Sequence, residues 1–299
     1  MKVRFGIGLG TSNVLGDPSV FARFVDRLEE LRFDSLWISE RVTGRTLDPL
    51  TALAFAAGRT SRLKLGTSVL VVPGRNPVLL AKELATVDAL SGGRLLPALG
   101  LGTPDPREHQ AFGVSRGERA QWFEEALPLM RWLWTEDDVT HDGARFHVDG
   151  VSLWPKPVGR MEVWLGGRTG TEYDRAGRLS QGWLGSFQTP DEAGRARAAI
   201  EQAAARHGRT VDDDHFGIVL VYARDTIGAP VLERLARVRP DTPVDDIVPT
   251  GDDALGAAIT GFVRHGITKF VLVPAAAPST WDDELAWLAP LVRKFEAMG

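Results

Sequence analysis

The segment 64–102, KLGTSVLVVPGRNPVLLAKELATVDALSGGRLLPALGLG, constrains the fold more than any other part of the chain. Its apolar run Val69-Leu-Val-Val72 is rich in β-branched residues and too short for a helix, so it reads as a strand buried on both faces. Pro73-Gly74 breaks the run. Asn76 can cap the next element, with Pro77 in its first turn, where a missing N–H costs nothing. Leu80, Leu84, Val87 and Leu90 then recur at helical spacing. Ser91-Gly92-Gly93 ends that helix, and a second strand, 95–101, runs into glycines. A strand, a helix and a strand in succession predict a parallel pair joined by a right-handed crossover. Both strands end in small residues, where a planar ligand can approach the backbone.

The same alternation extends over the chain. Strands are predicted at 3–9, 35–38, 163–165, 182–184, 216–222 and 270–273, besides the two above. Helices are predicted to start at Asp17-Pro18-Ser19 and Asp48-Pro49, over 117–134, 171–179, 190–207 and 252–265, and from Trp281 to the end. Residues 139–153 read as a hairpin turning at His141-Asp-Gly143. Eight strands alternate with helices and no linker divides them. The fold class is therefore α/β, a (β/α)8 TIM barrel formed by a single domain, 1–299. Insertion segments are expected at its C-terminal face, at about 103–117 and 224–250. In such a barrel the active site lies at the C-terminal ends of the strands.

Composition removes several classes of function. The net charge of −4 offers no basic face to nucleic acid. No apolar run reaches the length of a membrane span. The N-terminus, Met1-Lys-Val-Arg-Phe5, leads into a strand without a secretory apolar region, so a cytoplasmic enzyme is expected. Cysteine is absent, which excludes thiol catalysis and thiolate metal sites. The six histidines lack metal-ligand spacing, so no metal is expected, and no Gly-x-Ser-x-Gly motif appears. Gly6 and Gly8 do not have the spacing of a dinucleotide fingerprint, and read instead as part of the barrel mouth.

Six motifs carry a resemblance. Asp48-Pro-Leu, Thr60-Ser-Arg-Leu-Lys-Leu-Gly66-Thr, Arg75-Asn-Pro-Val-Leu-Leu-Ala-Lys82, Leu90-Ser-Gly-Gly-Arg94-Leu, Ala111-Phe-Gly-Val114 and Trp164-Leu-Gly-Gly167 resemble the bacterial luciferase-like monooxygenase superfamily. Thr67-Ser68-Val69 and the strand end Ser39-Glu40 look closer to its coenzyme F420-dependent branch than to its FMN branch. The resemblance implies an oxidoreductase that transfers a hydride between the deazaflavin and a small organic substrate, and it admits a homodimer. Two alternatives stand beside it: an FMN-dependent monooxygenase using oxygen, and a cofactor-binding protein without turnover.

The resemblance also implies a site. Ser68-Val69 falls where that branch carries a non-prolyl cis peptide behind the ring, with Thr67 beside it; the residues alone give an ordinary strand. Glu40, next to Ser39, falls where a family acid touches the cofactor head. Arg41 replaces a histidine of some sugar-phosphate dehydrogenases, which argues against that substrate. Glu40 and Arg41 are the catalytic candidates, with Arg41 either clamping an anionic substrate or pairing with Glu40. Gly100 and Gly102 end the fourth strand beside the cofactor, and Thr103 stands where some relatives have a catalytic Glu. Gly166, Gly167, Arg168, Thr169 and Gly170 match the cofactor-phosphate loop, where backbone N–H groups, a hydroxyl and a guanidinium can cradle an anion. Arg168 with Arg175 and Arg178 could meet the tail carboxylates of coenzyme F420, or form a solvated helix face. Glu108 is expected to be structural, and Lys82, Glu83 and Arg94 to form ion pairs beneath the barrel. Substrate choice would fall to loops 41–48, 103–117 and 224–250.

Overall fold

The computed structural model describes residues 2–10 and 17–297. The first half runs β1 (Arg4–Gly8), α1 (Pro18–Glu30), β2 (Ser35–Ile38), α2 (Pro49–Arg59), β3 (Lys64–Val71), α3 (Pro77–Ser91) and β4 (Leu95–Gly100). Then come α4 (Pro106–Phe112), α5 (Arg119–Thr135), a hairpin of β5 (Val139–Asp142) and β6 (His147–Val151), and β7 (Trp164–Leu165). The chain continues through α6 (Gly170–Leu179), β8 (Gly182–Ser186), α7 (Pro190–Arg206), β9 (Phe216–Tyr222), α8 (Ala229–Val238), α9 (Gly251–Arg264), β10 (Lys269–Pro274) and α10 (Trp281–Glu296). Eight parallel strands close into a barrel in the order β1-β10-β9-β8-β7-β4-β3-β2, and the hairpin stands outside it. This is the predicted (β/α)8 architecture.

Local chemistry sets the helix starts. Asp17, Asp48, Asn76 and Asp105 each accept a backbone N–H of the first turn, and each is followed by a proline. Side-chain acceptors of this kind satisfy donors that the helix itself leaves free.

Two packing layers follow from the strand pleat. Outward-facing residues such as Phe5, Leu36, Leu65 and Phe270 join Phe24, Leu53 and Leu84 of the helices in one cluster. Inside the barrel, Trp37, Trp164, Leu184, Val221 and Val273 form a second. The two indoles fit because neighbouring strands carry glycine beside them. A Cβ on Gly66 would lie 2.3 Å from Trp37 Cδ2, and one on Gly182 2.5 Å from Trp164 Cε2. The indoles plug the barrel and leave the space above them to the site.

The structure departs from expectation in four places. β3 starts at Lys64, because 64–67 already pairs with β2 from Ser35 to Ile38; Val69–Val71 is only its end. Both insertion segments contain a helix. The Asp105-Pro106 pair that opens α4 carries the same cap-and-proline signal as the other helices, and α8 buries Leu235 against Ile247 and Val248. The hairpin turns at 143–146, closed by Gly143 N–H to Phe146 O at 3.0 Å. Beneath the barrel, Lys82, Glu83 and Arg94 form no ion pair among the described residues. Arg94 instead donates to the carbonyls of Ala57, Thr60, Leu63 and Ser91, and Lys82 to that of Trp154. No described helix is long and apolar enough to cross a membrane.

Candidate active site

Two adjoining cavities open at the C-terminal ends of the strands. The inner well, about 900 Å3, is lined by Ser39, Ser68, Val69, Leu184 and Val221 among others. The outer chamber, about 1000 Å3, lies between the segment after β4, the loops after β7 and β8, and helices α7 and α8. Gly102, Thr103, Gly167, Glu172 and Ser186 are among the residues they share.

At the well, the Ser68–Val69 peptide is cis, and the β3–β4 register shifts between Ser68 and Leu70. The Ser39 hydroxyl donates to Ser68 O at 2.9 Å and lies 3.1 Å from Ser68 Oγ. Val69 turns toward the ends of β4 and β7. A Cβ on Gly100 would meet Val69 Cγ2 at 2.6 Å, and one on Gly166 would meet its Cγ1 at 3.7 Å. The clearance at Gly100 is thus taken by Val69. Thr67 is fully buried, donates its hydroxyl to Ala98 O at 2.7 Å and does not line the well.

Glu40 is buried, and both of its oxygens are engaged. Oε2 accepts Val71 N–H at 2.7 Å, and Oε1 accepts from Arg75 Nη2. Burial pushes its carboxyl above the usual range, against the opposing pull of Arg75. The partner of Glu40 is therefore Arg75, not Arg41. Arg41 instead donates to Asp105 at 3.2 Å, with its Nε 3.6 Å from Glu108 Oε1. Glu108, 1% exposed, accepts the N–H groups of Val42 and Thr43 at 3.3 and 2.8 Å and the Thr43 hydroxyl. Burial alone would raise its carboxyl; the Thr43 and Val42 donors outweigh it and hold it below the ordinary value. Glu108 staples the loop after β2 to α4.

The glycine-rich loop after β7 is more occupied than its sequence suggests. The N–H groups of Arg168 and Thr169 and the Thr169 hydroxyl all converge on Glu172 Oε2, at 2.8, 2.9 and 2.9 Å. This is the capping box of α6, so an internal carboxylate takes the donors. Gly166 and Gly167 line the well, Arg168 and Thr169 line the chamber, and Gly170 lines neither. Arg175 and Arg178 are bound to Glu124 at 3.0 and 3.1 Å, and Arg178 also to Asp174. They are not free to meet a ligand tail.

The free cations lie elsewhere. Arg119, 3% exposed, donates through Nη1 to the carbonyls of Leu101 and Thr103 at 2.8 and 3.0 Å. Its Nε and Nη2 have no partner among the described residues, although the side chain lines the chamber. A buried guanidinium with two unmet donors is costly unless an anion joins it. The guanidinium groups of Arg116, Arg168 and Arg195 line the same chamber without a hydrogen bond or ion pair among the described residues. Arg239 is held by Glu192 at 2.7 Å. The sequence did carry a signal for Arg119. It shares the apolar stripe of Phe123, Ala126 and Met130 on α5, which places an arginine on a buried face. Among the described residues no group of three acids, histidines or cysteines could hold a metal.

This geometry can be set beside known proteins. An F420-dependent glucose-6-phosphate dehydrogenase of Kineococcus radiotolerans is 28% identical over 295 residues, covering 85% of this chain and 86% of that protein. The same-named protein of Nocardia farcinica is 30% identical over 275 residues, covering 86% and 76%. Among solved structures, an F420-dependent secondary alcohol dehydrogenase with an F420–acetone adduct superposes with a TM-score of 0.82 at 18% identity, covering 99% of each chain. A monooxygenase of Streptomyces bottropensis gives 0.79 at 23% identity, covering 96% and 98%; these two likenesses concern the fold. The family model for luciferase-like monooxygenases matches residues 3–231, and the chain belongs to that family.

Proposed function

We propose that the protein is a cytoplasmic coenzyme F420-dependent oxidoreductase, transferring a hydride between the deazaflavin and a small organic substrate. The observation that carries this reading is the pairing of an apolar well with a basic chamber. A tricyclic ring suits the first, and an anionic chain longer than one phosphate suits the second. The orphaned Nε and Nη2 of Arg119 fit a phosphate there, with Arg168 beside it. Arg116 and Arg195 extend the positive lining beyond that point. Ser39, Ser68, Val69, Gly100, Gly102, Gly166 and Gly167 would border the ring. When bound, the reduced cofactor supplies the hydride.

The chain's own residues bind, orient and shield. Glu40, locked by Arg75 and Val71, fixes the ends of β2 and β3 as a positioning residue. Arg41, held by Asp105 with Glu108 beside it, presents a cation of fixed direction at the rim. FMN is the alternative cofactor, since the well would accept its ring equally; the unpaired arginines past the phosphate position favour the longer molecule. Parallel titrations with coenzyme F420 and FMN test the reading. F420 should bind more tightly, with a margin that narrows as salt screens the tail. FMN binding as tightly or more tightly would hand the site to the monooxygenase alternative.

A further inference from the structure

We infer that the inner well takes an apolar molecule bearing at most one negative charge, and that Arg237 on α8 is the specificity residue that receives this charge. The inference rests on the proposed function for the identity of the neighbouring cofactor, but its own evidence is the lining of the well. Val219, Val221 and Val273 come from the strand ends, and Phe187 and Val238 from the loop after β8 and from α8.

The ionisable groups of that lining are nearly all spent. Glu40 is taken by Arg75 and the Val71 N–H. Arg41 and Asp105 hold each other, with Arg107 also on Asp105. Glu172 caps α6, and Arg175 is paired with Glu124. Residues 11–16, Thr-Ser-Asn-Val-Leu-Gly, carry no ionisable side chain. Among the described residues, Arg237 alone lines the well as an ion without a partner. Its helix is anchored by Leu235, 1% exposed and packed with Ile247 and Val248, which brings Arg237 and Val238 to the mouth.

Charge arithmetic then separates substrate classes. A phosphate ester brings about two charges and several acceptor oxygens, which apolar walls and a single cation leave largely unmatched. A carboxylate matches one guanidinium in a forked pair, while the rest of the molecule buries against valines. The well thus differs in its chemistry from what a sugar phosphate requires, although relatives of this chain carry names for that substrate.

Calorimetric titration of the full chain saturated with oxidised coenzyme F420 tests this without turnover. The probes are cinnamate, its uncharged analogue cinnamyl alcohol, and glucose 6-phosphate. Cinnamate should bind at least about tenfold more tightly than glucose 6-phosphate. Arg237 is exposed at the mouth, so at low salt Arg237→Ala should weaken cinnamate about threefold and leave cinnamyl alcohol unchanged, with Arg237→Lys between. Glucose 6-phosphate binding as tightly as cinnamate, or no binding of either cinnamyl probe, overturns the apolar class. An equal loss of both cinnamyl probes in Arg237→Ala, or no loss of either, removes Arg237. Repeating the series without cofactor keeps the two readings apart. Selective cinnamate binding beside failed F420 binding would sink the cofactor assignment and leave this inference standing.

Discussion

The two sides of the barrel mouth are built on opposite principles. On the β2–β4 side every acid has a partner. Glu40 closes on Arg75 and Val71, Glu108 on Val42 and Thr43, and Asp105 on Arg41 and Arg107. In the outer chamber, Arg116 and Arg119 from the segment after β4, and Arg168 and Arg195 from beyond β7 and β8, face a cavity with donors to spare. The first side is therefore a finished frame, rigid before any ligand arrives. The second is electrostatically incomplete, and its stability is coupled to an anion that binds there. Substitutions on the first side should act on folding, and those on the second on binding.

The largest effect is expected where the frame is tightest. Gly66→Ala forces a Cβ to within 2.3 Å of the fully buried Trp37 ring. Overpacking of this kind should cost about 3 kcal/mol in a urea unfolding series. Gly58→Ala, also in the first half but with nothing within 4 Å, should instead gain up to about 1 kcal/mol by restricting the unfolded chain. Equal stabilities of the two variants would refute the account of the plugged barrel.

Next comes the staple. Glu108→Ala strands two backbone donors and should cost about 2 kcal/mol at neutral pH. Because its folded carboxyl is held below the ordinary value of 4.5, its contribution is fully present above that pH. It fades as pH falls through the lower folded value, where the native state finally takes up the proton. The stability gap between Glu108→Ala and the parent should therefore shrink on acidification below about pH 4.5; a constant gap would break the link to ionisation.

How far this contrast could be read from residues alone depends on the range of each interaction. The barrel was legible because its strands and helices repeat at short period, and Ser39 and Glu40 were legible as the end of a strand; Ser68 and Val69 read as an ordinary strand, and only the family resemblance singled them out. Helix α4 was hidden because Asp105-Pro106 sits in a run of prolines and glycines that reads as a turn. In α8 the proline at 230 falls in the first turn, where it starts a helix rather than breaking one. The capping box was readable, since Thr169 and Glu172 have the right spacing. The pairing of Arg175 with Glu124 was not, because 51 residues separate them and only the fold brings them together.

On the open side, Arg119→Ala should weaken coenzyme F420 about tenfold, the loss of a charge-assisted contact. Arg119→Lys, which keeps a cation there, should recover part of that. Riboflavin, which has a related tricyclic ring and a ribityl chain but no phosphate, separates this role from general damage. Its binding should be nearly the same in both variants and the parent. If riboflavin loses as much as F420, Arg119 acts on the frame and the comparison between the two sides fails at its central residue.

The smallest effect sets Arg168 against Arg175, two arginines near one loop with different environments. Arg168 is exposed and has no ion-pair partner among the described residues, and partial burial followed by the nearby Arg239 lowers its guanidinium below the usual range. An anion at the chamber would relieve that mutual repulsion. Exposure also means that water and salt screen the contact, so Arg168→Ala should raise the F420 dissociation constant only about threefold at low salt. Arg175 already spends its charge on Glu124, and its removal leaves Glu124 with Arg178. Arg175→Ala should therefore leave F420 affinity unchanged and shift stability by no more than about 0.5 kcal/mol. At high salt the difference between the two variants should close, because only the Arg168 effect is electrostatic and accessible to ions. A loss in Arg175→Ala as large as that in Arg168→Ala would mean that the Glu124 pair opens when the cofactor binds, and that the second side rearranges rather than simply receiving the anion.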